Sequence, residues 1–219
     1  MLMDSVSLNV AARSNVLGLE FSFMNDTTAS NSATILGNVE LMQGRGLQVN
    51  LLDGSHINIE GEQWKFSPAE LSVSDSLFSV QGFNLYNGGQ SLSMQGAMSK
   101  YSDDSINFRL DNFNVGIFNF FLNKSFNFQG YFSGNGIVSD LFRAPKVFFD
   151  ITGNDVSVYG NEVGSLKMMS TWNDVDKELN LYLKSSLNNR RTFLATGYFK
   201  PETSWLNLNA SLEDLSVSY

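Results

Sequence analysis

His56 is the only histidine of the chain, so any Ser-His-Asp relay must be built on it. It sits in Asp53-Gly-Ser-His56, a turn sequence, where a solvated loop histidine is the plainer reading. The carboxylate pairs Glu60/Glu62, Asp103/Asp104 and Asp174/Asp176 have the residue types of a glycosidase acid pair or of calcium ligands. Asn173-Asp-Val-Asp-Lys-Glu178 is the best calcium candidate of these. It lacks the glycine and the spaced glutamate of an EF-hand loop, and a turn between two strands explains it more simply. Trp64, Trp172 and Trp205 supply the ring types of a carbohydrate-stacking platform. Trp64 and Trp172 fall in the apolar register of their segments, which favours core or lining roles. Trp205 lies beside Leu206, out of register, and is expected to be exposed at a strand start. With no cysteine, the chain offers no disulfide, thiolate nucleophile or zinc–thiolate site. No enzyme, cofactor or metal is expected.

Composition narrows the classes further. The 219 residues carry 22 acidic and 14 basic side chains, a formal net charge of -8. That balance, without a basic stripe, argues against nucleic acid as a partner. Charged residues make up 16%, well below the usual quarter, while the hydrophobic fraction of 42% is ordinary. Asn, Ser, Thr and Gln supply the polarity instead, as expected for neutral, solvated strand faces. No run approaches the 18 or so apolar residues of a membrane span. The start, MLMDSVSLNV, lacks the charged and apolar regions of a signal peptide. A cytosolic protein is one reading. The other, favoured because both ends lie in mid-pattern (Val6, Leu8, Val10 and Leu212, Leu215, Val217), is a fragment of a longer chain.

The elements that must position these residues are strands. From Ser91 to Val115, apolar Leu92, Met94 and Met98 alternate with polar residues, and Gly96 keeps the register. After a polar turn, Ile106, Phe108 and Leu110 resume it. Period-two alternation places every apolar side chain on one face, so the segment reads as a one-sided hairpin. Thr192 to Val217 repeats it: Phe193, Ala195, Gly197 and Phe199 match Leu92, Met94, Gly96 and Met98, and Leu206-Asn-Leu208 matches Ile106-Asn-Phe108. Similar alternation covers most of the chain in roughly fourteen strands, with Val156 and Val158 read as a short strand of their own. With only three prolines and no long helical period, the chain is expected to be all-β, an antiparallel meander. Residues 1–56 are read as N-terminal strands of the same sheet as the repetitive hairpin region 57–219. Val115 to Leu122 breaks the pattern, as a single helical turn or as a plug on the apolar face.

A signature of two alternating apolar residues followed by glycine ends at Gly61, Gly82, Gly96, Gly130, Gly153, Gly160 and Gly197. If these glycines share one inward depth, they form a crease that folds the sheet lengthwise into a trough. If they merely end strands, there is no crease.

Gln63 to Ser99, Phe126 to Ile151 and Leu166 to Leu183 resemble the C-terminal region of the TamB family in the AsmA-like group. The resemblance runs from about Ile57 to the end and is one of pattern rather than invariant chemistry. It implies a segment of a periplasmic protein of two-membraned bacteria, anchored in the inner membrane by an N-terminal helix absent here. It further implies an elongated sheet folded like a taco, whose apolar concave face shelters phospholipid acyl chains on their way to the outer membrane. An outer-membrane barrel protein is the implied partner of the full-length chain. The residues expected to line such a groove are Leu92, Met94, Ile106, Phe108, Phe126, Phe128, Phe149, Met168, Leu181, Phe193 and Leu208. Two rivals stand beside this reading. One is a structural or adhesive module, a β-solenoid or sandwich whose apolar face is only its core. The other is an outer-membrane barrel, disfavoured by an opposite face rich in Asn and Ser.

Overall fold

The computed structural model describes residues 5–13, 16–24, 31–42, 46–100, 104–120, 127–140, 142 and 146–213, without the side chains of residues 13 and 120. The described chain is strand throughout, apart from turns and one 3-10 segment. In the first half run β1 (Ser5–Arg13), β2 (Val16–Met24), β3 (Ser32–Met42), β4 (Gly46–Leu51), β5 (His56–Ile59), β6 (Glu62–Phe66), β7 (Ala69–Val73), β8 (Leu77–Asn87) and β9 (Gln90–Ser99). Then come β10 (Ser105–Asn114), the 3-10 segment Val115–Phe120, β11 (Phe128–Ser139), β12 (Lys146–Val158), β13 (Asn161–Asn173), β14 (Glu178–Leu187), β15 (Arg190–Lys200) and β16 (Trp205–Leu212). All sixteen strands belong to one sheet, and β1–β2, β8–β9, β11–β12, β12–β13, β13–β14, β14–β15 and β15–β16 pair antiparallel. By contacts the chain divides into two compact units, Met1–Phe108 and Arg109–Tyr219.

Fourteen strands follow one another along the sheet, and β5 and β6 lie off that path for a local reason. β4 and β5 both pair with β3, at its two ends, and are one strand interrupted at Leu52–Ser55. The buried Ser55 Oγ fills the gap: its one proton lies between the carbonyl oxygens of Leu36 and Leu52, and it accepts the Leu36 N–H at 3.0 Å. β6 and β7 both pair with β8, separated by Ser67-Pro68, where proline has no N–H to give the ladder. Ser67 still donates to Asn84, so the register carries across the break.

Bulges set the phase of the alternation. β8 pairs Val80 with Gly96 and then Phe83 with Met94, so Gln81 and Gly82 together oppose the single Gln95. Gly82, at φ +72, makes that extra residue possible, and it returns Phe83 and Leu85 to the face of Phe78 and Val80. On β12 the register shifts between Gly153 and Ser157, so Val156 and Val158 belong to one thirteen-residue strand, not to a short one of their own. At Asn112, φ +44, burial passes from Ile106 on the even positions to Phe113 on the odd.

The glycine signature divides between two roles. Glu60-Gly61 and Tyr159-Gly160 are two-residue turns with positive φ at both positions, as a type I′ hairpin requires, and Asn188-Asn189 is a third. Gly96, Gly130, Gly153 and Gly197 lie inside strands. A Cβ on Gly96, at φ +132, would fall on the Ser105 carbonyl oxygen, so the neighbouring backbone approaches where a side chain would stand. At Gly153 a Cβ would meet the ring of Phe132 at 2.7 Å, an aromatic side chain laid over a glycine of the next strand.

Candidate functional site

In the first unit the registers carry apolar side chains across strand after strand. Leu17, Val39, Val49, Leu71, Val80 and Gly96 oppose one another in a row from β2 to β9. A second row joins Val6, Phe23, Ala33, Ile57 and Trp64. The residues one step along the strands form the opposite row Gly18, Asn38, Asn50, Glu70 and Gln81. The second unit repeats the arrangement. Gly134, Ile151, Met168, Leu183, Ala195 and Ala210 form one row, and Gly136, Phe149, Ser170, Leu181, Gly197 and Leu208 the next. Its other face is less uniform, with Met169 and Tyr182 between Asp150 and Thr196.

Exposure along these faces is uneven. Trp64 and Val80 are 1% exposed and Phe113 and Val156 are sealed, whereas Leu8 is 60% exposed and Leu212 66%. The accessible positions include those on β1, Leu17 on β2, Leu41, Leu47 and Val73 at one end of their strands, and β16.

Polar groups on the apolar face of the second unit are satisfied from within. Ser170 Oγ donates to the Val147 carbonyl at 2.6 Å and accepts the Phe149 N–H, and Ser185 Oγ lies 2.7 Å from Thr192 Oγ1. These groups, buried and paired, present no polar anchor to a molecule lying on the face. Two shallow, open depressions accompany the sheet, about 330 Å³ beside Val10, Leu19 and Leu36 and about 250 Å³ beside Met169, Leu181 and Tyr182.

Of the eleven residues expected to line a groove, Phe126 lies outside the described residues. Leu92 and Met94 are half-buried opposite Leu85 and Phe83, and Ile106 and Phe108 follow on β10, Ile106 buried. In the second unit Phe149, Met168, Leu181, Phe193 and Leu208 share one face, and the Phe128 ring stands 5.6 Å from Phe132. Leu208, half exposed, stands opposite Gly197, as Ile106 stands against Gly96. The repeat alignment is therefore off by two on its second strand: Leu208, not Leu206, takes the place of Ile106. Both leucines share a face, so alternation alone does not separate them. Residues left off that set, Phe83 and Leu85 on the apolar face of the first unit and Phe132 and Leu183 on that of the second, carried the same alternating signal, with a bulge shifting the phase at Phe83.

The 3-10 segment supplies Ile117, buried, and Phe118, 43% exposed and 5.7 Å from the Phe113 ring. Asn119 mimics a strand partner, donating through Nδ2 to the Phe128 carbonyl and accepting the Phe128 N–H on Oδ1.

Asp103 lies outside the described residues, and among those described the polar candidates do not converge on a reaction centre. His56 Nδ1 lies 2.9 Å from the Gly54 carbonyl, and the neighbouring Ser55 hydroxyl is committed to backbone. Asn173 Oδ1 accepts the N–H groups of Val175 and Asp176, and its Nδ2 donates to Asp176, so this acidic stretch folds on itself as an Asx turn. No cluster of three or more His, Cys, Asp or Glu side chains that could hold a metal occurs among the described residues. Trp172 is tied by Nε1 to Asp174 and has Lys146 Nζ 4.9 Å from its ring centroid. Trp64 is buried and Trp205 is 60% exposed at the start of β16.

Comparison of the chain with protein-family models, with curated proteins and with solved structures found no match.

Proposed function

We propose that this chain is a segment of a TamB-like envelope protein, whose sheet curves into a trough and binds or conducts phospholipid acyl chains between the inner and outer membranes. The observation that supports it is the pair of largely apolar faces carried across successive strands, backed by a polar face in the first unit. An acyl chain of about 20 Å would lie across some four strands at ~4.8 Å spacing. Its burial contributes roughly 0.8 kcal/mol per CH₂, without direction. With its serines satisfied internally, such a face holds a chain by area alone and lets it slide, as conduction requires.

A second reading has its own support. The centre of the first unit's face is already sealed at Trp64 and Val80, as in a structural module that carries no ligand.

The two readings separate on organic extraction and mass spectrometry of protein purified without detergent. The lipid reading expects co-purified phospholipid, lost in Phe128→Asp and Phe193→Asp and also in Leu208→Asp, whose exposed site tolerates the charge without unfolding. A clean extract from folded, monomeric protein overturns the lipid reading in favour of the structural module.

A further inference from the structure

The apolar face of the second unit finishes on an ion pair. Beyond the row of Phe149, Ser170 and Leu181 lies a further row of Trp172, Leu179 and Phe199, at one end of β13, β14 and β15. Trp172 is half-buried, and its Nε1–H donates to Asp174 in the following turn. The ring is thus an apolar body with a hydrogen-bonded edge, suited to a boundary between an apolar surface and water. Lys146 Nζ stands 4.9 Å from its centroid, and the same ammonium lies 3.0 Å from Asp140 Oδ2. Asp140 and Lys146 flank the β11–β12 connection, beside the Ser139–Lys146 pair that closes that ladder.

This pair differs from a solvated surface contact. Its side chains are 27% and 15% exposed, against 60% and 84% for Lys177 and Asp174 in the β13–β14 turn. Partly desolvated charges act on a third charge more strongly than hydrated ones do. An ammonium has three N–H donors and a carboxylate has several lone-pair sites, so the pair can take further partners of both signs. The serines of the face offer a bound chain no anchor, but the end of the face offers one cation and one anion side by side.

The complement of that arrangement is a headgroup that itself carries one anion and one cation. We propose that Lys146 and Asp140 form a headgroup site for a zwitterionic, amine-bearing phospholipid, the phosphate against Lys146 and the ammonium against Asp140. A phospholipid with a phosphate but no amine brings its charge beside Asp140 with nothing to offset it, so the pair selects against it. The inference rests on the lipid reading of the face given above and adds to it the class of lipid.

The test is competition. The protein is incubated with detergent-free vesicles of equal parts phosphatidylethanolamine and phosphatidylglycerol with identical acyl chains, then separated, extracted and its lipid quantified by mass spectrometry. The expected result is enrichment of the ethanolamine lipid by about five- to tenfold, between the effect of an exposed ion pair and that of a buried charged hydrogen bond. Asp140→Asn, which the left-handed backbone at φ +56 accepts, should lose the preference and leave Lys146 to favour the glycerol lipid. Lys177→Gln, at the exposed pair, should keep it. Circular dichroism confirms the sheet in each variant. Lipid bound in vesicle proportion by the wild type overturns the headgroup site and leaves the lipid reading standing, and this ratio decides even if Asp140→Asn does not fold. An unchanged preference in folded Asp140→Asn overturns the site in the same way, as does an equal loss in Lys177→Gln. Folded protein that takes up neither lipid overturns the lipid reading and the site with it.

Discussion

Ser55 holds together one of the two places where a strand of the first unit is interrupted. Its hydroxyl is 1% exposed with its residue and serves Leu36 and Leu52 at once, standing in for ladder bonds that the four-residue detour removes. Replacement by alanine leaves the Leu36 N–H without that acceptor in a buried setting, which costs about 1–3 kcal/mol. Ser55→Ala should lower the urea midpoint accordingly without changing the denaturant slope, and an unchanged midpoint would show that water replaces the hydroxyl freely. Gly96 poses the complementary case, a position where a side chain has no room. Its φ of +132 and the approach of Ser105 and Ile106 mean that Gly96→Ala should destabilise by at least about 2 kcal/mol. A wild-type midpoint for Gly96→Ala would contradict the close strand approach.

At the scale of elements, the last strand is held to its neighbour by more than its ladder. Beyond β16, the Glu213 N–H donates to the Thr192 carbonyl at 2.8 Å, and the Glu213 carboxylate is paired with Arg191. The hydrogen bond from the Arg191 guanidinium holds the Glu213 carboxyl below its usual range. A depressed carboxylate stabilises the folded strand above the ordinary carboxylate range, and that contribution is lost as pH falls through the lowered value. The pair is solvent-exposed, so the effect is confined to the strand end. Hydrogen exchange at Glu213 and Leu212, corrected for intrinsic rates, should accelerate on acidification in the wild type and show no such step in Glu213→Gln. Identical profiles in the two proteins would remove the pair from the account. The bulges act at this scale as well. By inserting one residue at Gly82 they keep Phe78, Val80, Phe83 and Leu85 on one face, although their sequence spacing departs from strict alternation.

For the whole molecule, the trough proposed above makes a prediction in solution. A compact globule of this length has a radius of gyration near 17 Å, and an open trough exceeds it. Small-angle scattering from the monomer returning about 17 Å would argue for a sheet packed onto itself.

The sequence by itself determined that the chain is all-β and antiparallel, where most strands run, and, between bulges, which residues share a face. All of this follows from period-two alternation and turn chemistry, which are local. Tertiary structure decided what local pattern does not encode. Pairing showed that β4 and β5 share β3 and that β6 and β7 share β8, two interrupted strands rather than four independent ones, and pairing with β13 merged Val156 and Val158 into β12. The role of each glycine also depended on its neighbours, since Gly61 and Gly160 turn hairpins while Gly96 and Gly153 make room for an adjacent strand. The candidate face was legible as a face but not in its exposure. Trp64 and Leu208 carry the same alternating signal, yet one is sealed and the other half open, because burial is set by how many strands and side chains close over a position and not by the residue placed there.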